Sequence, residues 1–241
     1  MLPTVSGRLC MDALNLRSTL AGGIFLLLVL ANVAALRWGM ADINLYEARY
    51  RFATNAQDSD EGSTQGWPGV NARLAHAVDL EPDSARVHRE VAQTLLVEAN
   101  GPGVDPQARV GLLSSASQHY AAAVRQNPLA ATSLAGYALT RQQLGSFDGR
   151  ALAAINHALE LGPWLPEIQL VNAHIALALR TTLSAAAMQA QVENVNKAFS
   201  GQSRGMADAI TQSHAEQWFC SRPIDFTPNA LAFCKQKAPR K

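Results

Sequence analysis

The chain has 241 residues, enough for one medium-sized domain with appendages. Its 20 basic and 19 acidic residues leave a net charge of +1, so no nucleic-acid-binding surface is expected. Hydrophobic residues make up 48% of the chain and aromatic residues only 6%, with alanine and leucine, both good helix formers, carrying the apolar content. Because no long alternation of β-branched or aromatic residues indicates a strand, we predict an all-α protein.

The first predicted element is a transmembrane helix at residues 18–37. Residues 18–36 carry no charge, and a helix of that length rises about 28 Å, close to the hydrocarbon thickness of a bilayer. Arg37 and Trp38 follow, a pair that suits the membrane interface. We interpret the helix as an uncleaved signal anchor preceded by a cytoplasmic segment, residues 1–17. A cleaved signal peptide, with the small residues 31–35 as its cleavage region, and a buried soluble helix are the alternatives.

Three hexapeptides begin with alanine and end with proline: AVDLEP (77–82), AVRQNP (123–128) and ALELGP (158–163). The second and third prolines lie 35 residues apart, and the first and second lie 46 apart. The turn-rich stretch GPGVDPQ (101–107) accounts for the longer interval. Such a spacing is typical of repeated helical hairpins.

Small and large side chains recur at fixed distances before each proline, as close packing of antiparallel helices requires. They are Val70, Leu74 and Ala77 in the first unit, Ala116, Tyr120 and Ala123 in the second, and Ala151, Ile155 and Ala158 in the third. With the closing prolines, these residues resemble the tetratricopeptide repeat (TPR) family. The resemblance implies that residues 42–181 form a TPR-like α-solenoid of antiparallel helix pairs. Residues 182–241 are then expected to form a helical cap.

The predicted helices follow this organisation. We expect one helix at about 43–55, a loop at 58–69, and helix pairs at about 70–99, 108–145 and 148–181. Two further helices, at about 183–199 and 205–219, would close the stack. Pro166 suits the first turn of a helix.

Two of the three cysteines, Cys220 and Cys234, lie near the end of the chain. A disulfide between them would close a loop of about fifteen residues, worth about 3 kcal/mol in the chain-entropy model, and would require an oxidising compartment. Cys10, before the apolar segment, then remains in a reducing cytosol. The alternatives are unpaired buried thiols, a metal site of His214 with both cysteines, and a catalytic cysteine paired with His214.

No metalloprotease, nucleophile-elbow, dinucleotide or P-loop motif occurs in the sequence. We therefore predict no catalytic residue, no metal site and no cofactor. The resemblance instead implies a concave groove that binds extended peptides or carboxylate-bearing termini and is lined by the first helix of each repeat, which follows the closing proline of the repeat before it. Arg89, Tyr137 and Arg141 are the predicted partner-binding residues.

The resemblance extends to bacterial inner-membrane proteins with one amino-terminal span and a periplasmic TPR domain. It implies a non-enzymatic scaffold or adaptor for protein partners in envelope, secretion or polysaccharide assembly. We therefore expect a single-pass inner-membrane protein whose carboxy-terminal domain lies in the periplasm. An accessory structural subunit of a membrane complex, for example in exopolysaccharide or O-antigen synthesis or export, and a helical periplasmic enzyme are the alternatives.

Overall fold

The computed structural model describes residues 6–58, 67–182, 185–201, 203–222 and 224–237. Within these ranges the chain forms eleven helices and no strand, which confirms the predicted all-α class. The chain divides into two compact units, Met1–Pro82 and Asp83–Lys241. The helices are α1 (Ser6–Asp58), α2 (Trp67–Leu80), α3 (Ala85–Ala99), α4 (Pro106–Gln126), α5 (Ala131–Gln143), α6 (Gly149–Leu161), α7 (Pro166–Leu179), α8 (Ala185–Ala198), α9 (Ser203–Gln212), α10 (Glu216–Cys220) and α11 (Pro228–Lys237).

The first unit is dominated by α1, a single helix of 53 residues. Its stretch Ala21–Tyr50 contains an apolar segment long enough to cross a membrane, and the large apolar side chains of this stretch are exposed except for Leu45. A signal sequence near the amino terminus has the same properties, so both interpretations of this segment stay open. The prediction of a separate helix at 43–55 was wrong. The only potential helix breaker between residues 37 and 42 is Gly39, and one glycine costs only about 1 kcal/mol in a helix.

Helix α2 packs along the second half of α1. Alanine and leucine residues at the contact are almost fully buried: Ala41, Leu45 and Ala48 on α1, with Leu74 and Ala77 on α2. Polar contacts flank this seam, since Arg73 on α2 forms an ion pair with Glu47 on α1 at 2.9 Å. Most of the predicted loop at 58–69 lies outside the described residues, and α2 already begins at Trp67.

In the second unit, α3 packs on α4, α4 on α5, and α5 on both α6 and α7. The recurring positions that precede the second and third prolines are all buried, as their spacing predicted: Ala116, Tyr120 and Ala123 on α4, and Ala151, Ile155 and Ala158 on α6. Each α6 residue follows its α4 counterpart by 35 residues. The 35-residue interval therefore repeats the same buried helix face.

Local sequence signals set the helix ends. The Asp105 carboxylate accepts hydrogen bonds from the N–H groups of Gln107 and Ala108, both at 3.0 Å, and so caps α4. Pro166 occupies the first turn of α7, as predicted. Gly145, just after α5, has φ +66°, a left-handed conformation that glycine adopts without steric cost and that ends the helix.

The carboxy-terminal helices share a second hydrophobic cluster centred on aromatic rings. Phe199 stacks on Phe219 and also contacts Phe233, with ring centroids 5.6 Å apart in both pairs. The helix predicted at 205–219 is interrupted, since α9 ends at Gln212 and α10 begins at Glu216. His214, between them, has φ +48°, which a continuing right-handed helix does not allow.

Candidate partner-binding groove

A groove of about 580 Å³ lies in the second unit along α3, α5 and α7. Its charged and polar lining residues are Arg89, Glu90, Gln93, Thr132 and Glu167, and its principal apolar ones are Leu96, Val97, Leu139, Ile168 and Val171. Because α5 contacts both α3 and α7, the three helices line one continuous groove. Such a mixture of apolar and polar groups suits a peptide, whose side chains also alternate in character along an extended chain.

Tyr120 of α4 lies against Gly136 of α5, and both residues line the groove. A Cβ atom at position 136 would stand 2.8 Å from Cε2 of Tyr120, and nearer still to Cζ and Cε1. Only glycine therefore lets α5 approach the ring this closely. The Tyr120 side chain is only 5% exposed, and this burial raises its pKa, so the phenol stays neutral. The contact between Tyr120 and Gly136 therefore forms part of the groove wall.

Arg89, one of the three predicted partner-binding residues, lines the groove. Its Nη2 lies 3.2 Å from Oε1 of Glu90, which is more deeply buried than Arg89 itself. The ion pair restrains the guanidinium before any partner arrives, which lowers the entropic cost of binding. A guanidinium carries five N–H donors, so this pairing leaves it able to bond a carboxylate or backbone carbonyl of a partner.

Tyr137 and Arg141 lie on α5 but are not among the groove-lining residues. Arg141 donates to Asp148, the residue that caps α6, at 3.1 Å. The backbone N–H of Ala151, together with the Arg141 guanidinium, holds the pKa of Asp148 below its usual range. Tyr137 is half-buried against the apolar cluster of α5, α6 and α7. The structure therefore does not bring these two residues together with Arg89, and their role in binding stays a prediction.

Sequence reasoning missed the α5 residues that do line the groove. Thr132, Gly136 and Leu139 succeed one another at spacings of four and three residues, which places them on one face of α5. The sequence shows that these three residues share one face of α5, but it does not show which neighbouring helix packs against that face. Selecting residues by chemical type favoured Tyr137 and Arg141 on other sides of the helix.

A histidine pair links α3 to α4. Nδ1 of His88 lies 2.9 Å from Nδ1 of His119, so one ring donates an N–H hydrogen bond that the other ring nitrogen accepts. Burial lowers the pKa of His119, and the charge that His88 would carry lowers it further. The contact therefore favours a neutral His119, and the hydrogen bond between the two rings links α3 to α4.

The structure brings Cys220 and Cys234 to disulfide distance, with Cα atoms 5.5 Å apart, as predicted. A bond between the two sulfur atoms would leave no thiolate for a metal or a substrate, so this geometry favours a disulfide over a zinc site, a catalytic cysteine and unpaired thiols. The loop before α11 is also held by Asn196 of α8, whose side chain donates to the carbonyl of Asp225 and accepts from the N–H of Thr227, both at 2.8 Å. Sequence reasoning missed this buried asparagine.

No protein-family model matches the chain, and no curated protein matches it significantly.

Proposed function

We propose that this chain is a membrane-anchored, non-enzymatic adaptor that binds an extended segment of a partner protein in the groove of α3, α5 and α7. The observation that carries the proposal is that the alternate helices α3, α5 and α7 supply every lining residue of the groove except Tyr120 of α4. Alternate helices are the first members of successive hairpins, and a TPR-like solenoid binds its ligands on that surface. The 35-residue interval between equivalent buried residues of α4 and α6 supports such a solenoid.

Cys220 and Cys234 indicate the compartment in which the second unit lies. A disulfide between Cys220 and Cys234 persists in an oxidising space, such as the bacterial periplasm. We therefore place the second unit in the periplasm, with α1 as a single-pass anchor in the inner membrane and Cys10 on the cytoplasmic side. The partner is then an envelope protein that serves secretion, envelope or polysaccharide assembly. Tethering raises the concentration of the groove at the membrane, so modest affinity suffices.

Photocrosslinking in living bacteria tests the groove. Leu139 in the groove, or Leu152 on α6 as a matched control, is replaced by p-benzoylphenylalanine in the full-length chain. Leu152 is 51% exposed and does not line the groove. We expect a discrete protein adduct from position 139 that is missing from position 152 and that weakens with Arg89→Ala. Equal adducts from both positions, or no adduct from position 139 in a folded chain, would overturn the proposal.

A further inference from the structure

One side of α1 carries a row of exposed residues that alternate at spacings of three and four. The row consists of Gly22, Phe25, Val29, Asn32, Leu36, Gly39, Ile43 and Tyr46, and we term these eight residues the α1 stripe. This spacing is the a/d pattern of a heptad repeat, in which every stripe residue faces one partner helix. None of the eight residues is charged, and the same register continues to Tyr50.

The α1 stripe is exposed along its whole length. Phe25, Leu36 and Tyr46 are 70%, 69% and 71% exposed. A Cβ atom added at Gly22 or Gly39 would have no atom of another helix within 4 Å. Helix α2 covers the other side of α1, where Ala41 and Ala48 are buried. In the heptad register those two alanines take position f, directly opposite the a/d seam. Packing with α2 therefore leaves the stripe available to another helix.

Asn32 indicates what kind of helix covers the α1 stripe. It lies inside the apolar segment, and its Nδ2 donates to the carbonyl of Leu28 in its own helix at 2.8 Å. Hydrocarbon offers no partner to the rest of the amide, so a polar group at this depth favours helix association. A second copy in the same orientation brings its own Asn32 to the same depth, where each amide can donate to the other.

We propose that α1 pairs in parallel with α1 of a second copy through the α1 stripe, making the protein a homodimer. The inference rests on the proposed membrane anchor, which holds both copies at one depth and in one orientation. Lipid alone would cover Phe25 and Val29. Ile43 and Tyr46 lie beyond the uncharged residues 18–36, next to the charged Asp42 and Glu47, where lipid does not cover them. A second copy of α1 carries the same heptad register, so its stripe matches this one along the whole length from Gly22 to Tyr46. Position d holds Gly39 between larger residues, which lets the two backbones approach closely.

Cysteine crosslinking in native membranes tests the pairing. Ile43→Cys on the stripe is compared with Trp38→Cys off the stripe, each in the full-length chain with Cys10→Ser. The two parent side chains are similarly exposed, at 58% and 64%. Membranes are washed with alkaline carbonate, oxidised mildly and analysed by non-reducing electrophoresis. We expect a covalent homodimer from Ile43→Cys and a monomer from Trp38→Cys. Asn32→Leu should weaken association by about threefold to tenfold in lipid nanodiscs.

The outcomes separate this inference from the anchor beneath it. A chain that stays in the carbonate-washed membranes but remains monomeric, or crosslinks equally at both positions, would overturn the dimer and leave the anchor intact. Crosslinking of Ile43→Cys to a different protein would show a heteromeric partner and overturn the second copy. Loss of the chain from the membrane fraction would overturn the anchor and the dimer together.

Discussion

The contact between Gly136 and Tyr120 gives the sharpest test of the packing that forms the groove. Replacing Gly136 by alanine should normally stabilise a helix, by up to about 1 kcal/mol. Here the new methyl group would lie 2.8 Å or less from three atoms of the Tyr120 ring. The ring is buried, so relief requires α4 and α5 to move apart. We therefore expect Gly136→Ala to destabilise the protein, against the trend of helix propensity.

The size of the effect follows from two opposed contributions. Overpacking a tight core costs about 1–3 kcal/mol, and the helical gain offsets up to about 1 kcal/mol of that cost. With the full helical gain subtracted, the net loss reaches about 2 kcal/mol, or about 4–8 °C in the melting temperature of a chain of this size. Thermal unfolding of the full-length protein in mild detergent, followed by far-UV circular dichroism, resolves a shift of this size.

Two controls separate this clash from other effects of the substitution. Gly111→Ala lies within α4, where an added Cβ meets nothing, so it should raise the melting temperature. In a Tyr120→Leu background the ring is gone, and Gly136→Ala should change from destabilising to neutral or stabilising. If Gly136→Ala stabilises the chain that retains Tyr120, the close approach of α4 and α5 is wrong.

Three further predictions follow from the second unit. Replacing Cys220 and Cys234 together by serine should lower the free energy of unfolding by about 3 kcal/mol, measured by chemical denaturation, whereas Cys10→Ser should not. The pKa of His119 is lower in the fold than its ordinary 6.5, so the unfolded chain takes up its proton first and stability falls as the pH drops below that value. His119→Gln should flatten this dependence in melting curves between about pH 7 and pH 5, and an unchanged slope would refute the assignment. Asp105→Ala removes the cap of α4 and should cost about 1 kcal/mol by the same melting assay, a loss that Asp105→Asn should largely avoid.

Much of the second unit was predictable because its sequence repeats. The alanines before each proline are small where two helices must approach, and the 35-residue interval carried that pattern from α4 to α6. The approach of Cys220 and Cys234 to disulfide distance was predictable too, because these two residues are close in sequence and far from Cys10. In both cases the signal is local, and it depends on residue type more than on the arrangement of distant elements.

The groove was predicted less well because it depends on how each helix is rotated. Tyr137 follows Gly136 by one residue, yet a single residue turns a helix by about 100°, enough to move a side chain from the groove into the core. The continuity of α1 was missed for a different reason. The change from apolar to polar sequence after Leu36 marks a change of surroundings, and a helix continues through such a change unless its backbone is interrupted.

The proposed periplasmic adaptor depends on the compartment in which the second unit lies, and thiol labelling tests that compartment most directly. The full-length chain is expressed in a bacterium and denatured, and its free thiols receive a maleimide mass tag with or without prior reduction. The account predicts one tag before reduction, at Cys10, and three tags after it, because the Cys220–Cys234 pair is oxidised outside the cytoplasm. Three tags without reduction would place the second unit in the cytoplasm and contradict the proposed periplasmic adaptor.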